Sequence, residues 1–204
     1  MHFVSIAASH QSYNQAVLRV ATQLAPEDVT IDLVEIDDLP PFNVDQDPPA
    51  RVVELKHCVR EADAILFITP EYNDSIPGVL ENAIEWAACP SGDNPWSGKP
   101  VAVMGASTDA LDTARAQFRL RKLLASLNMF LLNEPELMIG AANERFDTVG
   151  KLTDEETTEY VGLMIEKLVD WTRCIGKNDE QPPEGFLLSR EPAAPASVSS
   201  RECN

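Results

Sequence analysis

The segment Ala64-Ile65-Leu66-Phe67-Ile68-Thr69, closed by Pro70, constrains this chain more than any other. Five apolar residues follow one another with no polar alternation. A strand with one face in water alternates, whereas an unbroken apolar run fits a strand covered on both faces, at the centre of a parallel sheet. Parallel neighbours must then be joined by long crossovers, usually helices. The rest of the chain is therefore expected to supply strands and helices in turn.

It does. Residues 2–9 form a short apolar run ending in small residues, which reads as a first buried strand. Val17, Leu18, Ala21 and Leu24 follow at helical spacing, with Ser12 placed to cap that helix. Thr30 to Ile36 reads as a second strand, and residues 39–49 as a proline- and aspartate-rich loop. A helix is expected over about 49–61, with Val52, Val53, Leu55, Lys56 and Val59 on its inner stripe and Lys56 snorkelling. After the central strand, Ile76-Pro77 opens a helix carrying Val79, Leu80, Ala83, Ile84 and Ala87. Val101 to Met104 is the fourth strand, and 113–127 a helix with Ala116, Leu120, Leu123, Leu124 and Leu127 inward. Met129 to Leu132 begins a fifth strand, resumed after Pro135 by Leu137-Met138-Ile139. A last helix spans about 153–173, with Thr153 and Glu156 at capping-box spacing.

Five strands separated by helices predict a doubly wound, five-stranded parallel sheet in a three-layer α/β/α domain over residues 1–175. Right-handed crossovers bring Ala7 to Asn14, Thr69 to Ile76 and Gly105 to Arg115 to one rim, where ligands bind in such sheets. Residues 176–204, rich in Pro, Ala and Ser, are expected to form a mobile tail. Within it, Gly185-Phe186-Leu187-Leu188 is the one stretch expected to dock.

The formal net charge of -17 argues against nucleic acid and acidic membrane surfaces as partners. Arg115, Arg119, Arg121 and Lys122 form the one basic cluster, and their helical spacing favours pairing with acidic neighbours. No apolar stretch is long enough to span a bilayer, and the first residues lack a basic region, so a cytoplasmic location is expected. Cys58, Cys89, Cys174 and Cys203 are widely spaced and read as reduced thiols; no metal site is expected.

Three blocks carry a resemblance. The longest runs Thr69-Pro70-Glu71-Tyr72-Asn73-Asp74-Ser75-Ile76-Pro77-Gly78-Val79-Leu80-Glu81-Asn82-Ala83-Ile84-Glu85-Trp86. The second is Gly105-Ala106-Ser107 with Arg115-Ala116-Gln117 and Leu120-Arg121. The third is Leu127-Asn128 with Asn133-Glu134-Pro135-Glu136-Leu137-Met138-Ile139-Gly140. Over residues 2–173 the chain resembles the NAD(P)H-dependent FMN reductases, a flavodoxin-like family that includes quinone, azo-dye and chromate reductases. The resemblance implies bound FMN, reduction by NADPH or NADH, a small-molecule electron acceptor, and a homodimer or homotetramer. It also implies site residues. Ser9, Ser12 and Asn14 would hold the FMN phosphate. Pro70, Glu71, Tyr72 and Asn73 would approach the isoalloxazine ring, mainly through backbone groups and the Asn73 side chain. Ser107 would border the opposite side. Glu85 and Trp86 are expected in packing or subunit contacts, and no catalytic acid or base is named.

The chain also departs from the family pattern. Its first loop reads Ala7-Ala8-Ser9-His10-Gln11-Ser12-Tyr13-Asn14, with Ala8 for glycine and no arginine. The loop after the fourth strand holds Thr108-Asp109-Ala110-Leu111-Asp112-Thr113-Ala114 where the family has several glycines, and Arg115 is placed either to neutralise one of those aspartates or to form a local helix pair. Asp74 stands where the family often has glycine. These changes keep a second reading open: a non-catalytic relative with weakened or lost FMN binding, acting as a structural or regulatory dimer.

Overall fold

The computed structural model describes residues 1–7, 13–90, 92–108, 113–147 and 149–179. The elements in chain order are β1 (His2–Ala7), α1 (Tyr13–Leu24), β2 (Thr30–Val34), α2 (Ala50–Glu61), β3 (Ala64–Ile68), α3 (Gly78–Ala88), β4 (Pro100–Ala106), α4 (Ala114–Ser126), β5 (Phe130–Leu131), β6 (Leu137–Ile139), α5 (Ala142–Arg145) and α6 (Glu155–Asp179). The strands lie in the order β2-β1-β3-β4-β5, with β6 also on β4, and every pairing is parallel. β5 and β6 are two pieces of one interrupted fifth strand: Phe130 pairs with Pro100, and Leu137 with Met104. This is the flavodoxin-like doubly wound order, with its switch point between β1 and β3.

The unbroken apolar character of β3 has the expected cause. Alternate side chains enter two different cores. Ile65 and Phe67 pack with Val4, Ile6, Val101 and Val103 beneath α2, α3 and α4. Ala64, Leu66 and Ile68 pack with Phe3, Ala102 and Met104 beneath α1 and α6. The result is three layers, α/β/α.

Several local expectations are corrected. Val53 was assigned to the inner stripe of α2, yet it is exposed, as is Val79 on α3. Val53 adjoins Val52, and Val79 adjoins Leu80, so a 100° step turns each away from its buried neighbour. Lys56 is almost wholly buried rather than snorkelling into solvent: its ammonium donates to the Cys89 carbonyl and pairs with Asp93. The α6 cap sits one residue later than the Thr153–Glu156 spacing implied. Asp154 accepts the Thr157 N–H at 2.8 Å, while Thr153 donates its hydroxyl to the Arg145 carbonyl. α6 runs on to Asp179, past its expected end near 173 and into the segment assigned to the tail. Residues 180–204, including Phe186 to Leu188, lie outside the described residues. Cys58, Cys89 and Cys174 are unpaired thiols. Among the described residues, no helix is long and apolar enough to cross a membrane.

Candidate active site

The rim at the strand C-termini is assembled from backbone first. Gly105, near the end of β4, lies so close to the start of the β3–α3 connection that a Cβ there would stand 2.2 Å from the Thr69 carbonyl oxygen. Glycine permits that approach because it has no Cβ. The Thr69 N–H donates to the Met104 carbonyl at 3.0 Å, carrying the β3–β4 pairing past the end of β3. The next carbonyl, Pro70, accepts the Thr69 hydroxyl.

From there the chain enters a tight hairpin. Tyr72 and Ser75 exchange N–H···O bonds of 2.9 and 3.0 Å, and between them Asn73 and Asp74 have φ of 50° and 60°. Two consecutive positive φ values are the signature of a type I′ turn. Asn and Asp tolerate this left-handed backbone better than other side chains, so Asp74 can stand where the family often has glycine. The turn points outward. Tyr72, Asn73 and Asp74 are exposed, and the N–H groups of Glu71, Asn73 and Asp74 have no acceptor within the described chain. The Asn73 amide is likewise unbonded.

Asn14 has a different environment. It is 1% exposed, and its amide clasps the Ala106 backbone, accepting the N–H at 2.8 Å and donating to the carbonyl at 3.1 Å. Both polar ends of Asn14 are thus engaged in joining the start of α1 to the end of β4. Ser107 follows. Its N–H donates to the Ile139 carbonyl and its carbonyl accepts from Ala142, so it bridges the end of β6 and the start of α5. The adjoining Ala141 also has a positive φ, of 46°. Tyr13 and Phe146 meet in a tilted ring contact, 5.1 Å between centroids, bracing the start of α1. Ser9, Ser12, His10, Asp109 and Asp112 lie outside the described residues.

Arg115 was placed to neutralise a loop aspartate, and Asp109 and Asp112 lie outside the described residues; its described partners are two other carboxylates. Its guanidinium pairs with Glu71 at 2.7 Å and with Asp74 at 2.9 Å. The Glu71 carboxylate, 6% exposed, also accepts the N–H groups of Arg115 and Ala116. Burial alone would raise the Glu71 carboxyl. The hydrogen bonds from Arg115 and Ala116, with the Arg115 charge, outweigh it and hold the carboxyl below its ordinary value. Nothing in the linear sequence marks this pairing, because Glu71 and Arg115 are far apart in the chain.

Farther along, Trp86 is buried and donates its indole N–H to the Pro40 carbonyl, while Asn82 grips both Pro40 and Phe42. Both are packing residues in this chain. Arg119 pairs with Glu81, and Arg121 reaches the Leu132 carbonyl and Asn133, so these members of the basic cluster are engaged at home.

Comparisons with known proteins agree with this architecture. Residues 1–144 match the sequence pattern of the NADPH-dependent FMN reductases. An NAD(P)H-dependent FMN reductase of Pseudomonas aeruginosa is 44% identical over 168 residues, covering 80% of this chain and 90% of its own. A 2-hydroxy-1,4-benzoquinone reductase of a Burkholderia species is 39% identical, covering 79% of this chain and 90% of its own. Among solved structures, FerB, a flavoenzyme NAD(P)H:(acceptor) oxidoreductase from Paracoccus denitrificans, superposes with a TM-score of 0.79 at 36% identity. That match covers 85% of this chain and 97% of FerB. The chain belongs to the NADPH-dependent FMN reductase family, a group of FMN-dependent oxidoreductases that pass hydride equivalents to small acceptors.

Proposed function

We propose that this protein binds FMN at the β1–β3 switch point, takes hydride from NADH or NADPH, and reduces a quinone, a free flavin or another small oxidised compound. The observation that carries the reading is the outward-facing Tyr72–Ser75 turn, with unbonded N–H groups at Asn73 and Asp74 and an unbonded Asn73 amide. A flavin ring has carbonyl and ring-nitrogen edges that need such donors, and a flat face that needs close backbone approach. The exposed turn offers such donors and open backbone, and the Gly105–Thr69 contact holds the base of its loop tightly against β4, so the described residues fit the ring end of FMN.

The chemistry FMN supplies when bound is two-electron transfer between the nicotinamide and the acceptor. The chain's part is to bind and orient. Pro70, Glu71, Tyr72 and Asn73 would line one side through backbone groups and the Asn73 side chain, and Ser107 would border the other. Ser9 and Ser12 are assigned to the phosphate. Asn14 is assigned to positioning, because its amide is already engaged by Ala106. We also infer a homodimer or homotetramer. Val79 on α3 and Phe118 on α4 are exposed apolar side chains on two helices joined by the Arg119–Glu81 pair.

The test is an FMN titration of the full-length protein, followed by flavin fluorescence and absorbance, then oxidation of NADH and NADPH with a quinone. Saturable one-to-one binding with acceptor-dependent turnover supports the proposal. A folded protein that leaves FMN free at high micromolar concentration overturns it and favours a repurposed, non-catalytic fold. Light scattering on the same sample reads the assembly state.

A further inference from the structure

Among the described residues, helix α4 has no side-chain cap of its own at Thr113. The first N–H groups of a helix have no intrahelical partner and carry partial positive charge. Here they are met from another part of the chain: Glu71 Oε2 accepts the N–H groups of Arg115 at 3.0 Å and Ala116 at 3.1 Å. Glu71 Oε1 accepts the Arg115 Nε at 2.7 Å. The same guanidinium then turns to Asp74, in the hairpin, at 2.9 Å.

We infer that Glu71 is a positioning residue for the cofactor. It fastens the segment assigned to one side of the flavin to the first turn of α4, whose preceding loop carries Ser107 on the other side. Glu71 lies next to Tyr72, the first residue of the hairpin, so the hairpin and the α4 start move as one body. Asp74 adds an outer strap through Arg115. The inner bond has a buried carboxylate on the Glu71 side, whereas both sides of the outer pair are exposed, so the inner one holds more of the coupling. The arrangement also directs the Arg115 charge to two carboxylates, so that charge is balanced by the chain before a phosphorylated ligand arrives. This inference rests on the FMN reading above, and its experiment separates the two.

Amide hydrogen exchange is measured on the FMN-free full-length protein, and FMN affinity by fluorescence titration, for the unmodified chain and for Glu71→Ala, Glu71→Gln and Asp74→Gly. In Glu71→Ala, the Arg115 and Ala116 amides lose protection, FMN affinity falls about tenfold, and the visible flavin band of the bound form shifts. Glu71→Gln keeps an acceptor oxygen and regains most of the protection and affinity. Asp74→Gly weakens FMN about two- to threefold. A thermal melt controls for folding, and if Glu71→Ala does not fold, the Gln and Gly variants carry the test. Loosened Arg115 and Ala116 amides with unchanged FMN affinity and spectrum overturn the inference and leave the oxidoreductase reading standing. If the unmodified protein does not bind FMN, both are overturned.

Discussion

The two ends of the sheet are built to different rules. At the N-terminal end several polar groups are tied down within the chain. The Met1 ammonium donates to the Asp28 carbonyl, the His2 N–H to the Asp63 carboxylate, and Lys99 to the carbonyls of Arg60 and Ala62. Left-handed backbone there falls on Gly92, Gly98 and Asn128, and the Asn128 amide donates to the Ser97 hydroxyl. At the C-terminal rim, left-handed backbone falls on Asn73, Asp74 and Ala141, and donors in the hairpin point outward unbonded. A fold can close its polar groups, as the N-terminal end shows. Leaving them to solvent on an exposed left-handed turn keeps them available to a ligand.

The largest expected effect breaks this contrast at the rim. Gly105→Ala places a methyl 2.2 Å from a backbone oxygen that has no room to retreat. The expected loss is about 3 kcal/mol, the upper end for overpacking, with FMN binding abolished. Its counterpart at the other end is Gly98→Ala, where φ is 79° but nothing lies within 4 Å of the added carbon. That change should cost about 1–2 kcal/mol through backbone strain alone and leave FMN affinity intact. Urea unfolding and flavin titration on the pair decide the matter; equal FMN affinity in both would mean the rim approach is unimportant.

Next in size is Asn14→Ala. It strands the Ala106 N–H and carbonyl in a buried place, at a cost of about 2 kcal/mol. Because Asn14 acts through β4, stability and FMN affinity should fall together. Loss of affinity with an unchanged melting curve would instead make Asn14 a direct ligand contact.

Asn14 and Asn73 also show what was legible in the sequence. Both were assigned to the cofactor from the family resemblance, Asn73 in the longest matching block and Asn14 in the first loop. The motif tells that an asparagine is wanted, not whether its amide serves the chain or a ligand. Burial decides that, and burial depends on β4 lying beside α1, a contact between residues 92 apart in sequence. The sheet was far more readable. The unbroken run at Ala64 to Ile68, the Pro135 interruption and the helical spacings were local signals, and crossover handedness placed the ends of strands one, three and four on one rim. The α6 cap slipped by one residue because Thr153 and Asp154 both have capping chemistry, and tertiary contact with Arg145 chose between them. The Glu71–Arg115 bond was invisible for the same long-range reason.

A subtler change sharpens the contrast without disturbing the fold. Asn73→Gly keeps a residue at ease with φ of 50° and removes only the outward amide. Stability should hold to within about 0.5 kcal/mol. FMN affinity should fall about tenfold, the worth of one hydrogen bond. Isothermal calorimetry on the variant reads both the affinity and the lost enthalpy.

The smallest expected effect is a pH dependence that both ends share in sign and only one links to the ligand. At the rim, Glu71 is held below its ordinary 4.5 despite its burial. At the opposite end, the hydrogen bond from Lys56, helped by Arg60, holds Asp93 below its ordinary 3.8. A depressed carboxyl contributes stability that is fully present above its unfolded value and is lost as pH falls through the lower folded value. Both Glu71→Gln and Asp93→Asn should therefore flatten the fall in melting temperature on acidification below about pH 4.5. Only Glu71→Gln should also flatten the fall in FMN affinity over that range, since Asp93 touches neither the hairpin nor α4. A matched effect of Asp93→Asn on FMN affinity would mean that acid acts through global unfolding, and the two ends would then differ in geometry but not in their link to the ligand.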